Sequence, residues 1–196
     1  METPIVIYTD HTVNKTVCYN FAKGSNSFLC HVNNFKDYNK TIATYGVLRG
    51  TYEIISKVKN YYYIDHGYFN QSQRSFNNNR TNVISLDGYF RIVRNNFIHN
   101  GDGNYPSDRF ERLNLKIVDM KKSGDHIILS EPSEIMQKLY NVPMWTSNTK
   151  KLVKKYSDRK IIVHNKFSKE PLNNLLKDAW AFVSLQSTAG FKAMLN

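Results

Sequence analysis

Residues 41–64 read TIATYGVLRGTYEIISKVKNYYYI, and this stretch decides the fold class. It opens with a β-branched run, TIATY, which predicts a strand, and then turns between Gly46 and Gly50. Residues 51–59 follow with helical spacing, and YYYI at 61–64 predicts the next strand. A strand, a helix and a second strand at this spacing indicate a parallel α/β sheet.

The same alternation continues toward the N-terminus. Residues 4–8 (PIVIY) predict a strand, residues 13–22 have the apolar spacing of a helix that Gly24 would end, and residues 27–32 predict another strand. Residues 70–82 are polar and have no hydrophobic period, so they predict a loop. The alternation is thus clear up to that loop.

The alternation of predicted strands and helices resumes near Leu115. The second half is predicted to contain strands at 126–129, 160–163 and 179–185 and helices at 132–140, 146–156, 171–177 and 187–195. In the second of these helices, Leu152, Val153 and Tyr156 are expected to be buried. We therefore predict an α/β protein with two Rossmann-like halves, residues 1–118 and 119–196. The second half is expected to be incomplete, as in a truncated chain. Its last predicted helix ends before the further strands that a complete half would supply.

Composition excludes several classes of protein. The chain has 196 residues, of which 41% are hydrophobic and 22% charged, which rules out collagen, coiled coil and wholesale disorder. No apolar run approaches the ~18 residues of a membrane helix. The start, METPIVIYTDH, lacks the pattern of a secretory signal, so a cytoplasmic location is the expectation. The net charge of +11 is spread over both halves and favours anionic partners, either phosphorylated small molecules or nucleic acid.

The sequence suggests no metal site. Cys18 lies on the apolar face of a predicted helix and Cys30 in a predicted strand, so both indicate core thiols. The histidines lack paired ligand spacing. Asp-x-Asp is absent, which argues against a metal-dependent GT-A glycosyltransferase.

The segment AWAFVSLQSTAGFKAMLN, residues 179–196, is the most informative for function. A predicted buried strand runs through small residues directly into a helix. The hydroxyls of Ser187 and Thr188, with the free N–H groups of that helix, suit a phosphate. The alternative is that one of these hydroxyls simply caps the helix.

This C-terminal part resembles a known family. KIIVHNK at 160–166, PLNNLLKDA at 171–179 and AFVSLQSTAGFKAMLN at 181–196 look like the donor-binding half of GT-B-type glycosyltransferases. The capsule-polysaccharide and sialyl- or Kdo-transferase-like group is the most similar, over about residues 120–196. The resemblance implies metal-independent transfer of a sugar from a nucleotide-sugar donor to a glycan acceptor, with no separate cofactor. A membrane is a further expected partner, through peripheral association, and the oligomeric state is left open.

The resemblance also assigns residues. His164 stands where that group has a histidine at the end of a strand, and Ser187 and Thr188 stand at its Ser/Thr motif. These three residues, with Lys166, would hold the donor phosphates. Asn165 departs from the group, which has proline there, and the usual Gly-x-Pro continuation is absent. Independently of the family, a histidine that ends a parallel strand lies where open α/β sheets bind ligands. The alternative is a surface histidine whose ring is satisfied by a backbone carbonyl.

Acceptor-side candidates lie in the first half. Asp65 and His66 follow a predicted strand and would act as acid or base on an acceptor hydroxyl, provided that a turn at Gly67 brings them together. The alternative is a polar turn. Asp10 and His11 follow the first strand and are placed on the acceptor side with the same alternative.

One further acceptor-side candidate lies in the turn between the third strand and the helix after it. There, Arg49 would contribute charge to a phosphate-binding turn at 46–50. The alternative is a plain turn.

The competing hypothesis is a basic nucleic-acid-binding protein without catalytic activity. Arginines and aromatic residues interleave in the middle of the chain, where they could clamp phosphates and stack bases. They are Arg74, Phe76, Arg80, Tyr89, Phe90, Arg91, Arg94 and Phe97. The alternative is that the aromatic residues simply belong to the core. An inactive structural remnant is a third hypothesis.

Overall fold

The computed structural model describes residues 3–76, 82–99, 101, 103–116 and 118–195. The protein is mixed α/β, as the alternation predicts, and it forms two compact units, Met1–Arg109 (unit 1) and Phe110–Asn196 (unit 2). The sequence places the join later, after residue 118.

Unit 1 is built on a five-stranded sheet. The strands of this unit are β1 (Ile5–Tyr8), β2 (Leu29–His31), β3 (Ile42–Tyr45), β4 (Tyr61–His66), β5 (Arg74–Phe76), β6 (Asn82–Ile84) and β7 (Phe90–Arg94). Its helices are α1 (Thr12–Ser25) and α2 (Thr51–Ile55), and α3 (Asp108–Arg112) contains the division between the units.

The order of strands in this sheet positions the candidate site. The order is β2-β1-β3-β4-β7, with the first four strands parallel and β7 antiparallel to β4. The chain therefore adds β2 on one side of β1 and β3 on the other. Where the direction of winding reverses in this way, the connections leave the sheet on opposite faces and open a crevice at the carboxyl ends of the two strands.

Helix α1 packs its apolar face on this sheet. Val13, Val17, Cys18 and Ala22 are buried, as their spacing requires. The predicted end at Gly24 is wrong: the helix runs to Ser25, and Asn26 takes the left-handed conformation, with φ of +51°, that closes it. Asparagine tolerates that conformation better than most residues.

Two other expectations for unit 1 are corrected by strand pairing. Strand β4 continues through Asp65 and His66 instead of ending before them, because β7 pairs with it as far as His66. The loop predicted at 70–82 contains β5 and the first residue of β6, which pair antiparallel with each other. Backbone pairing of this kind needs no hydrophobic period, so the polar sequence did not reveal it.

Unit 2 contains a three-stranded parallel sheet in the order β10-β8-β9. Its strands are β8 (His126–Ser130), β9 (Lys160–His164) and β10 (Ala179–Ser184), and its helices are α4 (Glu134–Leu139), α5 (Trp145–Lys154), α6 (Leu172–Lys177) and α7 (Ala189–Ala193). Here too the first strand lies between the second and the third.

The core of unit 2 comes from β8, α6 and β10, with Ile128, Leu176 and Ala179 buried together. Helix α5 contributes no buried residue. The expected burial of Leu152 and Tyr156 is therefore wrong, since their exposed fractions are 52% and 83%. Across the described ranges of both units, no helix has the length and apolar character needed to cross a bilayer.

Candidate functional site

A cavity of about 270 Å³ lies in unit 1 at the carboxyl ends of β1, β3 and β4. This is the position where the winding direction of the sheet reverses. The side chains and turn that line it include Thr9, His11, Asn14, residues 46–49, Tyr63 and Asp65. Three of the predicted site residues, His11, Arg49 and Asp65, thus meet at one cavity although they are far apart in the sequence.

Asn14 ties two strand ends together beneath this cavity. Its Oδ1 accepts a hydrogen bond of 2.7 Å from the Thr9 N–H, and its Nδ2 donates one of 2.7 Å to the Tyr45 carbonyl. The residue is only 5% exposed. An amide side chain supplies a donor and an acceptor at once, so it satisfies the backbone on both sides of the crevice. Sequence reasoning missed Asn14, because it shares the buried face of α1 with apolar residues.

The turn between β3 and α2 forms another wall. Gly46, Arg49 and Gly50 all have positive φ, of +73°, +61° and +89°. The buried Thr51 hydroxyl lies 2.8 Å from the Leu48 carbonyl and 3.1 Å from that of Gly46, which fixes the turn. The Arg49 side chain is exposed at the cavity and forms no ion pair with any described residue. The segment is a turn, as the alternative had it, and it also brings a cation to the cavity.

Asp65 is held by its neighbours on the sheet. Its Oδ2 accepts from the Arg91 guanidinium at 2.8 Å and from the Tyr63 hydroxyl at 2.9 Å, and its Oδ1 accepts from the His66 N–H at 2.8 Å. Asp65 and Arg91 are direct cross-strand partners in the β4–β7 pair. Arg91 is buried and stacks on the Tyr68 ring at 4.9 Å. This pairing compensates the charge of the carboxylate and fixes its direction.

Tyr63 supports the same carboxylate. Burial, followed by the charge of Asp65, raises the pKa of the Tyr63 phenol far above its usual range. The hydroxyl therefore stays protonated and donates to Asp65 at any ordinary pH.

Asp65 and His66 do not come together. They are consecutive residues of β4, so their side chains point to opposite faces of the sheet. The His66 ring lies 5.9 Å from that of Phe90 in a stacked arrangement, and its Nε2 is 2.9 Å from the Tyr45 hydroxyl. The turn required at Gly67 for convergence is absent, because the strand continues through both residues. His66 is not among the residues that line the cavity.

Asp10 also lies away from the cavity wall. Its side chain is 87% exposed, and its carboxylate is 3.3 Å from Nε2 of His31. Of the two residues predicted after β1, only His11 lines the cavity, at the N-cap position of α1.

The predicted phosphate ligands of unit 2 form local contacts. His164 ends β9, and its Nε2 donates to the Glu170 carbonyl at 3.2 Å, the arrangement that the alternative described. The Lys166 ammonium lies 4.8 Å from the centre of the Phe167 ring.

The two hydroxyls before α7 behave differently from each other. Ser187 Oγ accepts from the Ala189 N–H at 3.2 Å, whereas the Thr188 side chain makes no capping bond. Helix α7 spans only Ala189–Ala193, so its dipole adds little to a phosphate site.

The residues on which the nucleic-acid hypothesis rests differ in how exposed they are. Arg91 and Phe97 are buried in unit 1, whereas Arg94 is exposed. Tyr89 and Phe90 are half-buried. Arg80 lies outside the described residues, as do the side chains of Arg74 and Phe76. The exposed part of this set is therefore smaller than the sequence suggests.

Within the described part of the chain, no three metal-ligating side chains of His, Cys, Asp or Glu come together. Comparison of the chain with protein-family models, with curated proteins and with solved structures finds no match.

Proposed function

We propose that the protein is a glycosyltransferase in which unit 1 binds a glycan acceptor and unit 2 binds a nucleotide-sugar donor. The observation that carries the proposal is the cavity of unit 1, where His11, Arg49 and Asp65 meet at the reversal point of the sheet. Such points are where open α/β sheets bind their ligands. The proposal includes two Rossmann-like halves, which the shared strand order β2-β1-β3 and β9-β8-β10 supports.

Asp65 is the proposed base. An acceptor hydroxyl oxygen attacks the anomeric carbon, the bond from that carbon to the phosphate oxygen breaks, and the nucleotide leaves with the electron pair. The hydroxyl proton passes to the Asp65 carboxylate, which lines the cavity and is oriented by its hydrogen bond from the Arg91 guanidinium. His66, which the sequence paired with Asp65, instead supports Tyr45 on the other face of β4.

In unit 2, Lys166 and the hydroxyls of Ser187 and Thr188 are the proposed phosphate ligands. His164 donates through Nε2 to a backbone carbonyl, so only a protonated ring could also donate to phosphate, through Nδ1. A neutral His164 is therefore not a phosphate donor in this arrangement.

The donor half is tested by ligand-induced stabilisation of the full chain. CMP, UDP, GDP and their sugar conjugates are compared with a single-stranded oligonucleotide at low and moderate salt. A ligand at about 100 times its Kd raises the free energy of unfolding by about 2.7 kcal/mol. Each kcal/mol raises the melting temperature by about 2–4 °C, so the shift is measurable. We expect one nucleotide to raise the melting temperature at both salt concentrations. The double variant S187A/T188A should lose the shift, and S123A, which removes an exposed hydroxyl elsewhere in unit 2, should keep it.

The transfer step is tested by nucleotide release. The donor that binds is mixed with neutral and charged mono- and disaccharides, and D65N should lower the release by about 100-fold or more while its circular dichroism stays unchanged. A stabilisation that only the oligonucleotide gives, and that fades with salt, would replace this proposal by the nucleic-acid hypothesis.

A further inference from the structure

We propose that the cavity of unit 1 selects an oxyanion, a phosphate or carboxylate group carried by a sugar. The inference rests on the proposed function only in taking that sugar to be the acceptor. The binding site itself is argued from the cavity alone.

The cavity has an uncompensated cation. The exposed Arg49 guanidinium borders it, and no described acidic group pairs with Arg49. The other charge on the wall, Asp65, is already matched by Arg91 at 2.8 Å. The net charge of the cavity wall is therefore positive. A guanidinium binds phosphate and carboxylate in a bidentate manner.

Thr9 contributes a buried donor. It is 2% exposed and lines the cavity, and its Oγ1 accepts the His11 N–H at 3.4 Å. No group among the described residues accepts the proton of this hydroxyl. A buried donor without an acceptor is unfavourable, and an oxyanion in the cavity would supply the acceptor.

The start of α1 favours the same sign of charge. This helix has 14 residues, no acidic residue in its first turn and no side-chain cap at His11. Its first backbone N–H groups lack intrahelical partners, and the helix dipole is positive at that end. His11 and Asn14 both line the cavity, so this end of the helix borders it.

The volume limits the ligand. A cavity of about 270 Å³ lies below the range of about 300–1,000 Å³ that holds drug-sized ligands. One oxyanion with part of a sugar ring fits this size better than a whole nucleotide. The site is thus matched to a charged monosaccharide unit.

The test compares three hexoses that differ in charge. Glucose 6-phosphate, glucuronate and glucose are titrated onto the full chain, with binding followed by calorimetry and by backbone NMR shifts of residues 9–14 and 46–50. We expect at least one charged hexose to bind at least tenfold more tightly than glucose. The phosphate and carboxylate arms distinguish the two sources of the oxyanion.

Variants identify the site. R49Q should weaken binding of the charged hexose by at least tenfold. R49K should weaken it less than R49Q, because lysine keeps the positive charge but loses the bidentate geometry, and T9V should weaken it several-fold. The matched control is K36Q, which removes one positive charge from an exposed position that does not line the cavity. Because Arg49 is exposed, R49Q tests the site without disturbing the core.

Two results of the binding experiments would overturn the inference. One is equal binding of charged and neutral hexose, and the other is equal weakening by R49Q and K36Q, which would indicate general attraction to a basic protein. Failure of nucleotide release with selective hexose binding intact would remove the proposed function and leave the oxyanion site. Nucleotide release that proceeds equally with neutral and charged acceptors would instead leave the proposed function and remove the oxyanion site.

Discussion

At the scale of single residues, Asn14 shows how a buried polar side chain can define a ligand cavity. Its amide satisfies the Thr9 N–H after β1 and the Tyr45 carbonyl at the end of β3. These strands are neighbours, but the backbone groups at their ends lie where the connections separate and ladder bonding stops. Without the amide, both groups would lose this partner at a place where the cavity wall is formed by protein.

N14A should therefore destabilise unit 1. The loss of a hydrogen-bond partner at a buried polar group costs about 1–3 kcal/mol. With two such groups, we expect a loss on the order of 2–6 kcal/mol in the free energy of unfolding, measured with urea. N20A is the control, because Asn20 is on the same helix and its amide only donates to the Thr16 carbonyl at the exposed surface. Both changes alter helix propensity equally. Equal, small losses in the two variants would show that the bridge does not matter.

At the scale of elements, the pairing of β4 with β7 determines what Asp65 can do. The antiparallel register places Arg91 directly opposite Asp65, and the guanidinium is covered by Tyr68. The sequence reveals both strands but not that they pair, because pairing depends on contacts between distant segments. For the same reason Arg91 resembles a surface arginine in the sequence, whereas it is 8% exposed.

R91M should be strongly destabilising, by about 3 kcal/mol, because it leaves a partly buried carboxylate without its cation and removes packing on Tyr68. R94M, on the same strand but exposed, should stay within about 0.5 kcal/mol. In urea unfolding, the double variant D65N/R91M should lose at least about 1 kcal/mol less than the sum of its single variants. Strict additivity would contradict the assigned ion pair.

At the scale of the whole molecule, the sequence predicted the α/β class and most strands, because buried parallel strands are continuous apolar runs. It identified His11, Arg49 and Asp65 as site candidates for one physical reason: each lies at or just after the carboxyl end of a strand. It could not give the strand order, and that order brings the three to one cavity. The sequence did not reveal that Asn14 joins two strand ends or that Arg91 pairs with Asp65. These contacts exist only after the sheet has formed.

Stability at alkaline pH is a property of the whole molecule to which two buried groups should contribute. Burial raises the pKa of Cys18 from its ordinary value of 9.0 to about 12, and burial also raises the pKa of Tyr63. Both groups keep their proton in the folded chain at a pH where the unfolded chain releases it. Their contribution is therefore complete below pH 9 and is lost progressively as the pH rises from about 9 to 12 for Cys18.

We accordingly expect the free energy of unfolding to fall above pH 9, with each of the two groups adding about 1.4 kcal/mol per pH unit once its unfolded form titrates. C18A should remove the part that begins near pH 9, and Y63F the part that begins near pH 10. The slope is the quantity to compare, because both variants also change packing and shift the absolute value. Urea unfolding at half-unit steps from pH 7 to 11 measures it. Parallel curves for wild type and C18A would mean that the Cys18 thiol, which donates to the Ile7 carbonyl at 3.3 Å, ionises equally in both states, contrary to its buried position on α1.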